Sequence, residues 1–335
     1  MTKAVLFDEF GLENLRVSDW KEDGPGPGQV RIRVHSVSLN YRDLLMVRGH
    51  YNPKIPLPLV PCSDGAGEVI AVGEGVEGLE IGDRVCSTMI PDWESGKPDN
   101  SIYATTTGGP AHGMLAEERT VNSNTVLKFP DHLSYDEAAC LPVAGLTAWT
   151  ALRAGGTQKG SKVLLLGTGG VSLMGLHIAK GLGAQTVITS SSQDKLERAK
   201  EMGADHGVNY SDHPKWAREV LEFWPDGADT VVEIGGDGTF DQSVRAARVG
   251  GCVSLIGVLA SRNTPVNLTA MLMRNIKAQG ILVGSRADFA EYMTFVEKHG
   301  VGPVIHKTFE GLGSAHDALA LMASGGHFGK IIIRI

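Results

Sequence analysis

The sequence is poor in cysteine, with 4 in 335 residues. Cys62, Cys86, Cys140 and Cys252 form no Cys-x-x-Cys pair and join no histidine at ligand spacing, so neither a thiolate metal knuckle nor a dithiol redox motif is present. They read as buried thiols of a reducing compartment, not as a disulfide framework. Basic residues do not outweigh acidic ones: 31 Lys and Arg face 38 Asp and Glu, a net charge of −7. That balance argues against nucleic acid or an anionic membrane as the main partner. No apolar run nears the roughly 18 residues of a membrane helix, and no basic-then-apolar leader precedes the first strand pattern. A cytoplasmic chain whose partner is a small molecule is expected. Its 42% hydrophobic and 21% charged residues suit a soluble globular protein, and its length suits two domains better than one small core.

Glycine, by contrast, is plentiful, and its most informative placement is Val163-Leu-Leu-Leu-Gly-Thr-Gly-Gly-Val-Ser172. An apolar strand runs into a glycine turn and then into a helical pattern that stops at Gly183, the layout of a dinucleotide-binding βαβ unit. Gly167 permits the sharp turn, and Gly169 leaves room for a pyrophosphate to approach the amides of Thr168, Gly169, Gly170 and Val171 at the helix N-terminus. The third glycine of the fingerprint is missing; Ser172, still small, stands there. Ala184 to Thr189 then reads as a second buried parallel strand. Its end, Ser190, lies about 20 positions past the first glycine, where the adenine ribose is met. No acid stands there to repel a 2′-phosphate. Ser190, Ser191 and Ser192 offer hydroxyls, with Lys195 and Arg198 one turn apart beyond them, so NADP(H) is favoured over NAD(H). The serines can equally cap the helix from Gln193 to Met202.

The first part of the chain reads as β-rich, with strands at Met1–Phe7, Gln29–Ser38, Gly67–Val72 and Asp83–Cys86. Asp23 to Gly28 is a loop by composition. Pro91 to Gly113 has no periodicity and reads as a lid or subunit contact. Ser134-Tyr-Asp-Glu137 is a capping box opening a helix toward Leu141, followed by a helical stretch from Ala144 to Ala154. Six strands then alternate with helices, at Lys162–Leu166, Thr186–Thr189, Gly207–Asn209, Thr230–Ile234, Cys252–Ile256 and Ile276–Leu282. This is the pattern of an α/β, doubly wound parallel sheet. Phe289–His299 and Ser314–Ala323 are helical, and Gly329 to Ile335 is a last strand that must return to an earlier sheet.

Several motifs carry a resemblance over essentially the whole length. Pro61-Cys-Ser-Asp-Gly-Ala-Gly-Glu-Val69 with Val72-Gly73 and Ile81-Gly-Asp-Arg-Val85, Gly145-Leu-Thr-Ala-Trp149, Arg198 to Asp205, and His327-Phe-Gly-Lys330 together resemble the medium-chain dehydrogenase/reductase superfamily, in its quinone-oxidoreductase-like branch. The resemblance implies a six-stranded Rossmann domain over 129–286 and a β-rich, GroES-like catalytic domain over 1–128 and 287–335, in a homodimer paired through its cofactor domains. It also implies what is missing. The positions that hold catalytic zinc in the metal-dependent branch correspond to Asn40, Ser63 and about Ala144, and the four cysteines of the structural zinc lobe are absent. Amide, hydroxyl and methyl groups replace neither thiolate nor imidazole, so a zinc-free enzyme is expected.

Without a metal, hydrogen-bond donors must stabilise the charge that hydride transfer places on the acceptor, and quinones, enones and related carbonyl compounds delocalise part of it themselves. The candidate catalytic residues are Asn40, Tyr41 and Tyr51, the last a candidate proton donor by its match to zinc-free enoyl reductases. Each tyrosine can also be a wall residue with a satisfied hydroxyl. Asp43 reads as structural, and His50 and His112 as solvated loop positions. The resemblance further places against the cofactor Thr147, the turns Gly257-Val258 and Val283-Gly284-Ser285, Tyr210 near the adenosine, and Lys330, which either reaches across the cleft or is a surface cation. The glycines after Val232-Glu233-Ile234 make room for it. An alcohol dehydrogenase, an enoyl-thioester reductase and a non-catalytic NADPH sensor are the competing readings.

Overall fold

The computed structural model describes residues 2–260 and 263–335. The chain divides into two compact units, Met1–Leu146 with Val283–Ile335, and Thr147–Leu282.

The second unit holds a six-stranded sheet with the spatial order His206–Asn209, Gln185–Ser190, Lys162–Leu165, Ala228–Glu233, Ala247–Leu255, Lys277–Gly280. Every neighbouring pair is parallel. The chain starts in the middle, winds outward one way, then returns to wind the other way, so strand order reverses between Lys162–Leu165 and Ala228–Glu233. Ligands of doubly wound sheets bind at the carboxyl ends of the strands flanking such a reversal. The strands there are continuous apolar runs because both faces are covered: Val163, Leu164, Leu165, Val231 and Val232 are fully buried. One core packs Leu164, Val187, Val208, Val231 and Val253 against Trp216, Val220, Trp224, Phe240 and Val244. The fifth strand begins earlier than its apolar stretch suggests, at Ala247, because a register irregularity lets Ala228 pair Ala247 before Thr230 pairs Cys252.

The first unit is built on a seven-stranded sheet around Gln29–Ser38. That strand pairs Asp64–Val72 along one edge. Along the other it pairs Glu118–Asn122 through Gln29 to Arg33 and Lys330–Arg334 through Ser36 to Ser38. The terminal strand therefore does return to the β-rich sheet, but it has a second neighbour the sequence did not reveal: Ile305–Glu310 runs parallel to it. Other elements not read from sequence include the helices Tyr41–Val47 and Leu268–Met273, the strands Glu118–Asn122 and Val126–Lys128, and the strand Arg16–Trp20, antiparallel to Thr2–Leu6.

The division of the chain differs from the one drawn at residues 129 and 286. Residues 129–146 belong with the first unit, because the segment after the capping-box helix Tyr135–Ala138 is tied there: Val143 N–H donates to Asp64 Oδ2 at 3.1 Å. The segment Pro91 to Gly113 is tethered to its own unit as well. Thr107 bonds Met89 and Thr88, Gly113 bonds Val60, and Arg42 Nη1 donates to the Thr107 carbonyl at 3.1 Å. These ties make its second half a packed loop.

The π-helical turn Leu141–Gly145 ends where Tyr292 fills the interior. A Cβ at Gly145 would sit 2.6 Å from the Tyr292 hydroxyl oxygen and 2.7 Å from its Cε1. Gly145→Ala therefore overpacks a site that cannot open outward, and a loss of about 1–3 kcal/mol is expected, measured by denaturant unfolding against the wild-type chain.

Candidate active site

In the nucleotide unit the turn after Leu166 has the geometry its glycines promised. Gly167 has φ +72°, a conformation that favours glycine, and its N–H donates to Thr189 Oγ1 at 3.1 Å. A side chain at Gly169 would meet only open space, and the helix Gly170–Gly181 starts from Gly169 with no side-chain cap. Its first N–H groups, at Gly170 and Val171, are left for an anion. The departure at Ser172 is explained: its hydroxyl donates to the Leu166 carbonyl at 2.5 Å, so the serine ties helix to strand instead of merely fitting between them. Thr168 is buried beside the turn. Thr147, expected against the cofactor, is also buried, in the helix Leu146–Ala154.

At the end of the second strand, Ser190 is buried and its Oγ accepts from Ser192 N–H at 3.3 Å. Ser192 caps the helix Gln193–Glu201 by accepting from Lys195 N–H. Capping thus occupies one of the three serines, and Ser191 stays exposed. Lys195 has its pKa lowered, by burial first and then by the neighbouring Arg198 cation. Two cations held this close favour an anion beside them. Tyr210 lies exposed after the third strand, its N–H on the Ser190 carbonyl.

Sequence reading missed the role of Glu233. This carboxylate is fully buried at the end of the fourth strand, with no cation paired to it among the described residues. Oε1 accepts from Gly235 N–H at 2.6 Å, Gly236 N–H at 3.1 Å and Thr239 Oγ1 at 2.6 Å, and Oε2 accepts from Ser243 Oγ. Four donors satisfy the charge and fix the turn that faces the strand reversal. Gly257 and Val258 pack onto that turn backbone to backbone: a Cβ at Gly257 would lie 2.5 Å from the Ile234 carbonyl oxygen, and one at Gly236 would lie 2.9 Å from Val258 Cα. The signal was available, since a lone acid ends an apolar strand just before two glycines.

In the first unit the substituted zinc positions come together in a buried polar cluster. Asn40 is 8% exposed and precedes the helix Tyr41–Val47; Asp43 Oδ2 accepts from the Asn40 N–H at 2.8 Å. Ser63 Oγ donates to Asp64 Oδ1 at 2.8 Å. Lys330, far from being a surface cation, is 3% exposed, with Nζ donating at 2.6 Å to both the Leu39 carbonyl and Asn40 Oδ1. The reason is register: pairing of Ile332 with Ser38 carries Lys330 past the end of the partner strand, next to Leu39 and Asn40. Burial raises the Asp64 carboxyl against the pull of Lys330, and it raises Asp43 to about 6 against Arg42. Asp43 is the structural residue expected, with Arg42 Nη1 3.6 Å from its Oδ1.

Tyr41 and Tyr51 are exposed, and the Arg42 guanidinium lies 5.3 Å from the Tyr51 ring centroid. His50 is exposed, as read. His112 is not a solvated loop residue: it packs edge-on against Trp20 at 5.0 Å and accepts from Val60 N–H through Nδ1, and burial lowers its pKa. Val283 is buried at φ +53°, a strained conformation for a β-branched residue. The Ser285 hydroxyl is committed to the capping box of the helix Arg286–His299, donating to Asp288 Oδ2 and accepting from Asp288 N–H, which leaves the backbone of Val283 and Gly284 as the groups to offer a cofactor.

These residues do not suit zinc. The Asn40 oxygen is spent on an ammonium, the Ser63 hydroxyl on a carboxylate, and Ala144 has no donor. Among the described residues no three His, Cys, Asp or Glu side chains gather as ligands.

A parallel sheet with a phosphate-binding turn at its reversal, joined to a GroES-like unit, defines a nicotinamide-dependent oxidoreductase. Two family descriptions match, Zinc-binding dehydrogenase over residues 170–298 and Alcohol dehydrogenase GroES-like domain over residues 26–131. A zinc-type alcohol dehydrogenase-like protein of Schizosaccharomyces pombe is 36% identical over 99% of each chain. A 2-methylene-furan-3-one reductase of Solanum lycopersicum is 32% identical over 99% of this chain and 78% of its own. A crystal structure from Sinorhizobium meliloti, assigned as an alcohol dehydrogenase, superposes with TM-score 0.94 at 35% identity, covering 100% of this chain and 98% of the other. An NAD-dependent alcohol dehydrogenase, an acryloyl-coenzyme A reductase and a quinone oxidoreductase are further relatives. The chain belongs to the medium-chain dehydrogenase/reductase superfamily.

A buried carboxyl titrating near 6 costs stability once it is charged. With its folded pKa above the unfolded value of 3.8, Asp43 binds its proton more tightly in the native state, so its contribution falls as pH rises from about 4 to about 6 and stays low above. Asp43→Asn keeps an acceptor for the Asn40 N–H and removes that charge. Relative to wild type, the variant should gain up to about 2–3 kcal/mol between pH 4 and pH 8, followed by chemical denaturation at both values; a difference independent of pH would contradict the assignment.

Proposed function

We propose that this protein is a zinc-independent, NADP(H)-dependent reductase of quinones, enones or related carbonyl compounds. The observation that carries the reading is the buried cluster of Asn40, Ser63, Asp64 and Lys330, in which Asn40 and Ser63 are the residues that correspond, by the resemblance, to metal ligands of the metal-dependent branch. A bound nicotinamide supplies the hydride; the protein's own residues must hold the acceptor oxygen as negative charge develops on it. Tyr51, exposed near Arg42, is the proton donor in this reading, and Tyr41 a wall of the site. Gly167 to Val171 hold the pyrophosphate. The relatives that reduce an acryloyl thioester and a methylene-furanone support activated alkenes within the substrate class.

NADP(H) is the preferred cofactor in this reading because Ser190, Ser191, Lys195 and Arg198 surround the strand end and no carboxylate stands among residues 190–192. The protein acts in the cytoplasm as a homodimer. Support for the dimer lies on the outer edge of the parallel sheet, where the strand Lys277–Gly280 is exposed along its length and Leu268, Leu272 and Met273 of the adjoining helix stand out to solvent. An open strand edge beside apolar side chains invites pairing.

Steady-state oxidation of NADPH and NADH with a panel of quinones, enones and simple ketones tests the reading, on protein whose zinc content is measured by elemental analysis. Turnover on quinones or enones without stoichiometric zinc is expected. Tight NADPH binding with no turnover on any acceptor would point instead to a sensor, and one zinc per chain would overturn the metal-free assignment. Separately, Ser190→Asp should weaken NADPH binding at least about tenfold while sparing or improving NADH, since a carboxylate repels the 2′-phosphate and accepts from the ribose hydroxyls.

A further inference from the structure

We infer that Glu233 is a positioning residue for the cofactor: its buried carboxylate fixes the turn 234–236 and, through it, the loop 257–260, the two backbone segments against which the nicotinamide half lies. The inference rests on the nicotinamide-dependent reading of this unit, and not on the choice of substrate. Strand order sends the two halves of the cofactor to opposite sides. The phosphate turn at Gly167 follows the strand Lys162–Leu165, and the adenosine is read at Ser190, the end of the neighbouring strand Gln185–Ser190. The other half then runs over the carboxyl ends of Ala228–Glu233 and Ala247–Leu255. Contact agrees with that path: a Cβ on Gly167 would lie 3.1 Å from Ile234 Cδ1, so the phosphate turn and the turn after Glu233 touch.

That second turn is made of residues with the most backbone freedom. Gly235 and Gly236 cannot carry side chains, because a Cβ on the first would strike the Thr239 side chain and one on the second would sit 2.9 Å from Val258 Cα. Gly236 also has φ +79°. Glycine loses more freedom on ordering than any other residue, so close packing of this pair needs an anchor. Glu233 supplies it largely through one oxygen: Oε1 accepts from Gly235 N–H at 2.6 Å, Gly236 N–H at 3.1 Å and Thr239 Oγ1 at 2.6 Å, while Oε2 accepts from Ser243 Oγ. Hydrogen bonds to a carboxylate are about twice as strong as neutral ones. The anchored turn holds the next loop in its place. The Ile234 and Gly235 carbonyls accept from Leu259 N–H at 3.1 Å and Ala260 N–H at 2.8 Å, and the Glu233 carbonyl accepts from Ile256 N–H at 2.8 Å. Val258, within that loop, is 62% exposed. The loop is thus fixed at its base and open at its face, as the wall of a ligand crevice must be.

Were Glu233 only a filler of the strand end, removing its acceptors would weaken the unit as a whole and both halves of the cofactor alike. A fragment comparison separates the two roles. Calorimetric Kd values for NADPH and for its adenosine fragment 2′,5′-ADP are compared between wild type and Glu233→Met, which keeps the length of the side chain and removes both acceptors; NADH and 5′-AMP are titrated in parallel. Glu233→Met should weaken binding of the whole cofactor about 10- to 100-fold, the range for lost bonds to a charged group, and change fragment binding by less than about twofold. Glu233→Gln keeps an oxygen for the three donors on Oε1 and turns its NH₂ group to the Ser243 hydroxyl, so it should return whole-cofactor binding to within about fivefold of wild type.

Equal losses for cofactor and fragment overturn the inference, as does whole-cofactor binding left unchanged by Glu233→Met or rescued no better by Glu233→Gln. If Glu233→Met does not fold, Thr239→Val carries the test, because it leaves the carboxylate in place and removes one of the donors on Oε1. It should weaken whole-cofactor binding about three- to tenfold with the fragment unaffected, and unchanged cofactor binding overturns the proposal. A wild-type chain that binds neither NADPH nor NADH overturns the cofactor reading and this inference with it, whereas a wild type that binds one of them, with variants that lose cofactor and fragment alike, overturns the inference alone.

Discussion

A positive charge taken out of water must be given partners, and in the first unit that requirement falls on Lys330. Its ammonium is bonded to the Leu39 carbonyl and Asn40 Oδ1, and Asp43, Asp64 and Arg42 complete a buried set of two cations and two carboxylates. The set is held by strand register. Pairing of Ile332 with Ser38 and of Ile333 with Val37 leaves the start of the last strand lying beside residues 39 and 40. Burial of Ile331, Ile332 and Ile333 on both faces makes a slip of that strand costly. The same contact fixes where the helix Tyr41–Val47 begins, so the position of Tyr41 follows from the interaction that buries the lysine.

The nucleotide unit solves a related problem with no paired cation among its described residues. Glu233 is a buried carboxylate answered, among the described residues, by dipoles: two backbone N–H groups and two hydroxyls. Because those N–H groups belong to Gly235 and Gly236, satisfying the charge and shaping the turn are one event, and the turn's glycines leave room for Gly257 and Val258 to pack against it. Gly167 and Ser172 do the equivalent for the first strand, where two side-chain hydroxyls, of Thr189 and Ser172, tie the turn to its neighbours. The two loops at the strand reversal are thus rigid before any ligand arrives, which lowers the ordering cost of binding.

The parallel sheet was legible because its strands are buried on both faces and read as unbroken apolar runs between glycines; Val163 to Leu166 and Thr230 to Ile234 announce themselves. Ile305-His-Lys-Thr-Phe-Glu310 does not. It is polar, half-exposed and at an edge, and it is a strand only because the isoleucine-rich terminus, some way along the chain, pairs with it. The helix Tyr41–Val47 was missed although Asn40 and Asp43 stand at N-cap and N3 spacing, since seven residues give periodicity little to show. Lys330 and His112 show the larger limit. A lysine or a histidine in a glycine-rich context reads as solvated, and what buries each of these is a partner far away in sequence: Leu39 and Asn40 for one, Trp20 and Val60 for the other.

The chemistry open to this cluster follows from the difference between an ammonium and a metal ion. A divalent cation binds the ligand oxygen directly and takes its developing charge at the shortest possible distance. Lys330 has its ammonium bonded to the Leu39 carbonyl and Asn40 Oδ1, and Coulomb energy falls with the separation of its charge from anything beyond them. Asp43 and Asp64 reduce its field further. On the proposed function, an acceptor reduced here carries much of its own negative charge. A conjugated carbonyl spreads that charge over several atoms, and a simple ketone concentrates it on one oxygen. In the proposed reading, the replacement of ligands that argues against zinc therefore favours, through the strength of what took its place, quinones and enones over unactivated ketones.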